Sequence, residues 1–523
     1  MNSLKNIKHI ALSLVLPMAF ASCTDVWNEH YDVNNEKLSA DKTLWEEIDS
    51  RPELQEFAAC LKQHGYDKVL DGDQIYTVFA PQGALDIDKL PAEKIKEEVL
   101  ENHIARSAHS ANKATVNKSV MMLNEKLVDF TIAGESYTLG NVALTGTNII
   151  AKNGVLHILT GKLPFFFNIW EYMTTDSAYS KVCEYMYSFD EYELDEEASV
   201  KGPIVDGLQT YVDSVLDTYN KLRVMLGDLN DEDSTYTMIL PTNKAWDEAY
   251  QRIAPYYVYN SKNEHRDSLQ DYYTKLGIVS DLIFSHTVQE SMTDSLISTS
   301  LNVFKNPFEY ILDGYSSMDD GVVCSNGNVF VVDELKHHPW DSWHTRLKVE
   351  AERINGHKVA ENTSIEYSRN MENTNPLHNK VSKSAYLEVI SKKLYQANAP
   401  SVDFYIWNTL AATYDIKVVF LPQSLATDKA YGINPVHLAA ELSYVNDKDK
   451  TQKEKLIEAK DSVFVDPTRI DTVKLGTFTF PVTTYGEEKA STTLTVKSAS
   501  NSKDKVNSRV LLIDCVILEP TKE

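Results

Sequence analysis

The chain has 523 residues, 43% of them hydrophobic and 24% charged, with 51 Lys and Arg against 76 Asp and Glu. A formal charge of −25 argues against holding nucleic acid or an anionic lipid surface by bulk attraction, so no nucleic-acid partner is expected. The five cysteines lie far apart with no C-x-x-C spacing, which indicates neither a zinc site nor a dense disulfide scaffold. Most of Cys60, Cys183, Cys324 and Cys515 have apolar neighbours, so they read as buried free thiols.

The chain opens on Lys5 and Lys8, then an apolar run from Ile10 to Phe20, then Ala21, Ser22, Cys23 and a polar stretch with Asp25, Glu29 and Asp32. Charge, an apolar core and small residues before a scissile bond form a secretory signal. The apolar run spans only about 16 Å as a helix, too short for a bilayer. With a cysteine at the cut, the segment resembles a bacterial lipoprotein signal, with Phe20 where leucine is usual. The resemblance implies removal of residues 1–22, lipidation of Cys23 and a tether over 23–37. It further implies a lipid anchor in the outer membrane of a Gram-negative cell, with the body of the protein at the cell surface. Acyl chains contributing about 0.8 kcal/mol per buried CH₂ would hold it there.

A repeat follows. Leu44-Trp45-Glu46-Glu47-Ile48 is echoed by Ile169-Trp170-Glu171-Tyr172-Met173. Leu54, Phe57, Ala58 and Leu61 then align with Tyr179, Val182, Cys183 and Met186, each set spaced as the apolar stripe of a helix. Pro52 suits the first turn of that helix and Gly65 its stop. The short β-type run Tyr76-Thr77-Val78-Phe79-Ala80-Pro81 matches Tyr236-Thr237-Met238-Ile239-Leu240-Pro241. Asn102-His103 is set against Ser285-His286, and Asn153-Gly154 against Asn326-Gly327, a hairpin signal between apolar alternations. Matched elements in one order predict two copies of one domain, with insertions in the second.

Thr77-Val78-Phe79-Ala80-Pro81, His103 and Asn153-Gly154-Val155-Leu156-His157 together resemble the fasciclin-type domain, as does Pro241-Thr242-Asn243-Lys244-Ala245-Trp246 in the second copy. Gln82-Gly83 departs from the family pattern in the first copy, and Phe330 replaces the strand histidine in the second. The resemblance implies two α/β wedge domains, at 38–165 and 166–345, acting in adhesion or interaction and bringing no catalytic machinery.

Residues 346–383 are polar and Asn-rich and read as a connection with at most one strand. From 384 to 523 the chain is β-rich, with runs at 385–389, 402–406, 414–422, 473–480, 494–496 and 509–518. Several strands between turns predict a β-sandwich. The last of them, Leu512 to Pro520, looks like the final strand of jelly-roll carbohydrate-binding modules. The fold class expected is therefore multi-domain α+β: two fasciclin-type wedges, then a mostly-β, jelly-roll-like sandwich.

No nucleophile elbow, phosphate loop or H-E-x-x-H motif is present. The cluster His337-His338-Pro339-Trp340-Asp341-Ser342-Trp343-His344 has no standard metal spacing and reads as a junction loop with packed tryptophans. Asp228 to Asp233 lacks the Gly and closing Glu of a calcium loop and reads as a solvated turn. Asp195-Glu196-Glu197 reads as a solvated face, and His103 and His157 as partners in internal hydrogen bonds. No enzyme activity, cofactor or metal is expected.

Trp340 and Trp343 are the candidate binding residues, since tryptophan is enriched at binding hot spots. The arrangement looks like an accessory subunit of a TonB-dependent nutrient (glycan) uptake complex. Its expected partners are an outer-membrane transporter complex or other surface proteins, with a polysaccharide as a further ligand. The alternatives are a cell-surface adhesin and a polysaccharide-binding protein acting through the C-terminal sandwich.

Overall fold

The computed structural model describes residues 41–88, 90–111, 118–133, 136–205, 208–285, 295–393 and 398–522. The signal segment, Cys23, the tether and His286 lie outside the described residues. The chain divides into two compact units, Met1–Phe165 and Phe166–Glu523. No helix among the described residues is long and apolar enough to cross a membrane.

In the first unit the helix Leu44–Asp49 starts at a capping box, in which Thr43 caps Glu46 N–H and the Glu46 carboxylate takes Thr43 N–H. A 3₁₀ turn, Pro52–Leu54, leads into the helix Gln55–Gln63, and Leu54, Phe57, Ala58 and Leu61 are all buried. Gly65, at φ 78°, takes the left-handed conformation that redirects the chain into the helix Tyr66–Leu70. The central strand Tyr76–Pro81 pairs parallel with Gly154–Leu159 and antiparallel with Ile104–Arg106 in a seven-stranded sheet. One core lies among the helices and Val78, Leu156 and Ile158; a second gathers around Phe79, Phe130, Leu139 and Leu159.

Residues 166–345 of the second unit repeat these contacts. Asn168 and Glu171 form a capping box at the helix Ile169–Tyr172. Tyr236–Pro241 pairs parallel with Gly327–Val332 and antiparallel with Ile283–Ser285. At both parallel pairs only glycine fits. A Cβ on Gly154 would stand 1.9 Å from the Tyr76 carbonyl oxygen, and one on Gly327 would stand 1.8 Å from that of Tyr236.

The register corrects one expected match. Arg106 lies opposite Tyr76, and Ser285 lies opposite Tyr236. Ser285 is therefore the counterpart of Arg106, and the place of His103 is taken by Leu282 rather than His286.

The rest of the unit forms two six-stranded antiparallel sheets. The first orders Ser364–Asn370, Ala385–Ser391, Leu511–Pro520, Thr413–Phe420 and Asp471–Thr479, with Leu347–Glu350 also on Leu511–Pro520. The second orders His357–Val359, Ser401–Ile406, Thr492–Ser498, Val436–Val445 and Thr451–Ile457, with Phe464–Val465 on Val436–Val445. Inward residues of both, such as Val389, Ile416, Leu511 and Ile513 against Phe404, Leu438, Leu494 and Val496, share one core, which makes the pair a sandwich. In the first sheet the buried Glu388 carboxylate takes Arg369 at 2.9 Å and the hydroxyl and N–H of Thr427.

Residues 346–383 are not a connection. Three of the sandwich strands lie there, Leu347–Glu350, His357–Val359 and Ser364–Asn370. They are short or half-covered, so polar residues alternate along them and hide the strand pattern. The same core continues from Ile169 in the first part of this unit to Leu518 in the last strand. Backbone bonds stitch the two parts together: Ala411 N–H to Tyr256 O at 2.9 Å, Thr483 N–H to Val258 O at 2.7 Å and Ser261 N–H to Asp447 O at 2.7 Å.

Candidate functional site

Where these two parts of the second unit meet, a pocket of about 280 Å³ opens. Trp343, Tyr257, Tyr273, Tyr414 and Tyr485 supply its aromatic lining, and Asp281, Ser300, Asn302, Ser342 and Asn408 its polar lining. The rings are braced by one another. Tyr485 meets Tyr257 and Tyr273 edge-on, at 5.5 and 5.0 Å between centroids. The Arg252 guanidinium lies 5.3 Å from the centre of the Trp343 ring, and Tyr256 meets that ring edge-on. Burial raises the pKa of the Tyr257, Tyr414 and Tyr485 phenols, so they stay neutral donors and acceptors at ordinary pH.

Asp281 organises the polar wall. Its side chain accepts from Ser298 Oγ at 2.6 Å, from Asn302 Nδ2 at 3.0 Å and from Ser342 Oγ. Three donors on one buried carboxylate fix the loops that carry them. The arrangement is not a nucleophilic relay. Ser342 gives its proton to Asp281, and His337 Nε2 lies 3.2 Å from the main-chain oxygen of Asp281 rather than its carboxylate. His337 and His344 are both buried, and desolvation holds each pKa down at about 4.

The two candidate tryptophans occupy different settings. Trp343 lines the pocket; Trp340 stacks on His338 at 4.9 Å, and His338 stacks in turn on Tyr310. The Lys522 ammonium lies 5.5 Å from the centre of the Trp340 ring. Sequence reasoning missed Asp281, Asn302, Asn408 and Tyr485, which no local motif links. Cys23, the expected lipidation site, lies outside the described residues.

One group of ligand-type atoms converges among the described residues: Glu350, Asp514 and Cys515, within 4.8 Å of one another. Asp514 and Cys515 are neighbours on a strand and would ordinarily face opposite ways. A bulge there, with Val419 opposite Cys515 and Phe420 opposite Ile513, turns both toward Glu350. Lys348 Nζ lies 3.2 Å from Glu350. Desolvation raises the Asp514 pKa to about 6 and that of the Cys515 thiol to about 12.

The fasciclin-type histidines are structural. His103 Nδ1 donates to Val99 O at 2.6 Å, and its Nε2 accepts Leu163 N–H at 2.9 Å. His157 donates from Nε2 to His109 O at 2.8 Å and stacks on Phe79 at 5.0 Å. Cys60, Cys324 and Cys515 are buried and Cys183 is half-buried.

Residues 52–163 form a Fasciclin domain. No curated protein matches the sequence. Among solved structures, the FAS1 domain pair of the insect cell adhesion molecule fasciclin I is similar at 13% identity, covering 55% of this chain and 98% of that one, with a TM-score of 0.22. The C-terminal family 22 carbohydrate-binding module of a Clostridium thermocellum protein is similar at 12% identity over 33% of this chain and 91% of the module, at TM-score 0.20. A Paenibacillus xanthan lyase is similar at 15% identity over 33% of this chain and 13% of its own length, at TM-score 0.22. TM-scores of this size do not establish a shared fold.

Proposed function

We propose that the protein is a non-enzymatic, lipid-anchored binding protein of a Gram-negative cell surface, whose ligand site is the junction pocket. The pocket carries this reading: five aromatic rings beside a fixed row of amide, hydroxyl and carboxylate groups. A sugar ring has an apolar face to lay on an aromatic and a rim of hydroxyls to hydrogen-bond, and about 280 Å³ accommodates one or two such rings. Residues 166–345 act as a second fasciclin-type domain, and their joint with the jelly-roll-like sandwich builds the site. In the cell the protein serves as an accessory subunit of a TonB-dependent glycan uptake complex, capturing glycan for a transporter. Affinity electrophoresis through polysaccharide gels, read beside release of reducing ends, tests this reading. Retardation without new reducing ends supports it. New reducing ends, or no retardation by any surface polysaccharide, would overturn it.

A further inference from the structure

The junction pocket holds one acidic side chain, Asp281, and none of the described residues that line it is Lys, Arg or His. Asp281 is 1% exposed, and its carboxylate takes hydrogen bonds from the neutral side chains of Ser298, Asn302 and Ser342. These bonds fix the carboxylate but bring no positive charge to cancel it. His337 lies 3.2 Å from the main-chain oxygen of Asp281, and desolvation, which holds its pKa at about 4, keeps the ring neutral at pH 7. Arg252 lies against the Trp343 ring and donates to Leu335 O, and it is not a lining residue. The chain as a whole carries a formal charge of −25.

The remaining polar atoms suit an uncharged ligand. Asn408 Oδ1 accepts Gly486 N–H at 3.1 Å, which leaves its Nδ2 to donate. The Tyr414 hydroxyl accepts Leu410 N–H at 3.2 Å and keeps its own proton to give. Sugar hydroxyls, which both donate and accept, match groups of this kind. A carboxylate or sulfate only accepts, must shed its water to enter, and would share one small cavity with Asp281. Like charges repel more strongly there than in water.

We infer, on the reading of this pocket as a glycan site, that it sorts glycans by charge: it admits neutral sugar residues and rejects those that carry a carboxylate or a sulfate. Asp281 supplies the repulsion, and the aromatic lining holds whatever neutral ring enters.

Calorimetric titration of the full chain tests this with a panel of neutral hexose oligosaccharides. Each is matched by two forms altered at one C6, a carboxylate and a carboxamide, the second keeping the shape of the first without its charge. The neutral sugar and the carboxamide should bind alike and the carboxylate about tenfold more weakly, with the gap narrowing as salt rises. Ser300 lines the exposed side of the pocket, and Ser300→Lys should bring the carboxylate to within about threefold of the neutral sugar. A thermal melt confirms that this variant folds; if it does not, the salt series on wild type decides. Binding of no panel member overturns the glycan reading, and this inference with it. A carboxylate that binds as tightly as its neutral parent, in a site that Trp343→Ala weakens, overturns the charge filter alone. A carboxamide as weak as the carboxylate, or a gap indifferent to both salt and Ser300→Lys, shows selection by shape and overturns it as well.

Discussion

Asn153 and Asn326 make the same three hydrogen bonds in two separate parts of the chain. Asn153 Oδ1 accepts Leu44 N–H, and its Nδ2 donates to Leu70 O and Gly72 O. Asn326 Oδ1 accepts Ile169 N–H, and its Nδ2 donates to Leu229 O and Asp231 O. Each side chain ties a capped helix, a loop and the start of the parallel strand pair into one knot. Replacing either by Ala strands buried donors and acceptors and lowers stability by about 3 kcal/mol. Urea unfolding of each variant measures this, and a change below about 1 kcal/mol in either would break the equivalence.

Gly154 and Gly327 are expected to tolerate no side chain. A Cβ at either would overlap a carbonyl oxygen, so Ala there must push the parallel strands apart. The loss should exceed about 3 kcal/mol for each variant, against only a few tenths for Ala at the open surface position Gly161. Expression yield and thermal melts compare the three.

His103 and His157 make the first unit sensitive to acid. Burial lowers both pKa values from 6.5 to about 4. The folded unit therefore binds fewer protons than the unfolded chain between these values. Their contribution is complete above pH 6.5, is lost as pH falls toward 4, and amounts to roughly 3 kcal/mol per histidine. His157→Phe, which copies Phe330, costs about 1 kcal/mol at neutral pH through the lost hydrogen bond and removes part of the acid sensitivity. Calorimetry from pH 7 to 4 should show wild type the more stable at pH 7 and the variant the more stable at pH 4, the two curves crossing between. An unchanged gap would contradict the assignment.

Asp514 works in the opposite direction. Its pKa, raised from 3.8 to about 6, makes its stabilising effect complete below pH 3.8 and lost as pH rises through 6. Asp514→Asn keeps the shape, and in metal-free buffer should melt higher than wild type at pH 7.5 but not at pH 4. A lower melting temperature at pH 7.5 would show that the charged carboxylate is the favoured form.

Cys23→Ala tests the anchor. The lipoprotein reading expects the variant to leave the membrane fraction or to stay uncleaved. Full retention after a high-salt wash would show that no lipid at Cys23 holds the protein.

The sequence was most legible where a local period met a local turn. Leu54, Phe57, Ala58 and Leu61 marked a helix face, and Asn153-Gly154 and Asn326-Gly327 marked hairpins. The hairpin Val436–Val445 with Thr451–Ile457 went unread because its second strand, Thr451-Gln452-Lys453-Glu454-Lys455, is nearly all polar. The bulge at Asp514 left no trace, since a register shift depends on the partner strand. Trp343 was visible as a binding candidate. Asp281, Asn302, Asn408 and Tyr485 were not, because only the joining of two parts of the fold brings them to one pocket.

Isothermal titration calorimetry with a panel of oligosaccharides, on wild type, Trp343→Ala and Trp340→Ala, tests the central claim most directly. Wild type should bind one class of oligosaccharide. Trp343→Ala should lose about 2 kcal/mol, some thirtyfold in affinity, while still melting cooperatively at a lower temperature, and Trp340→Ala should bind as wild type. Equal binding by wild type and Trp343→Ala, or binding lost only in Trp340→Ala, would contradict a ligand site at the junction pocket.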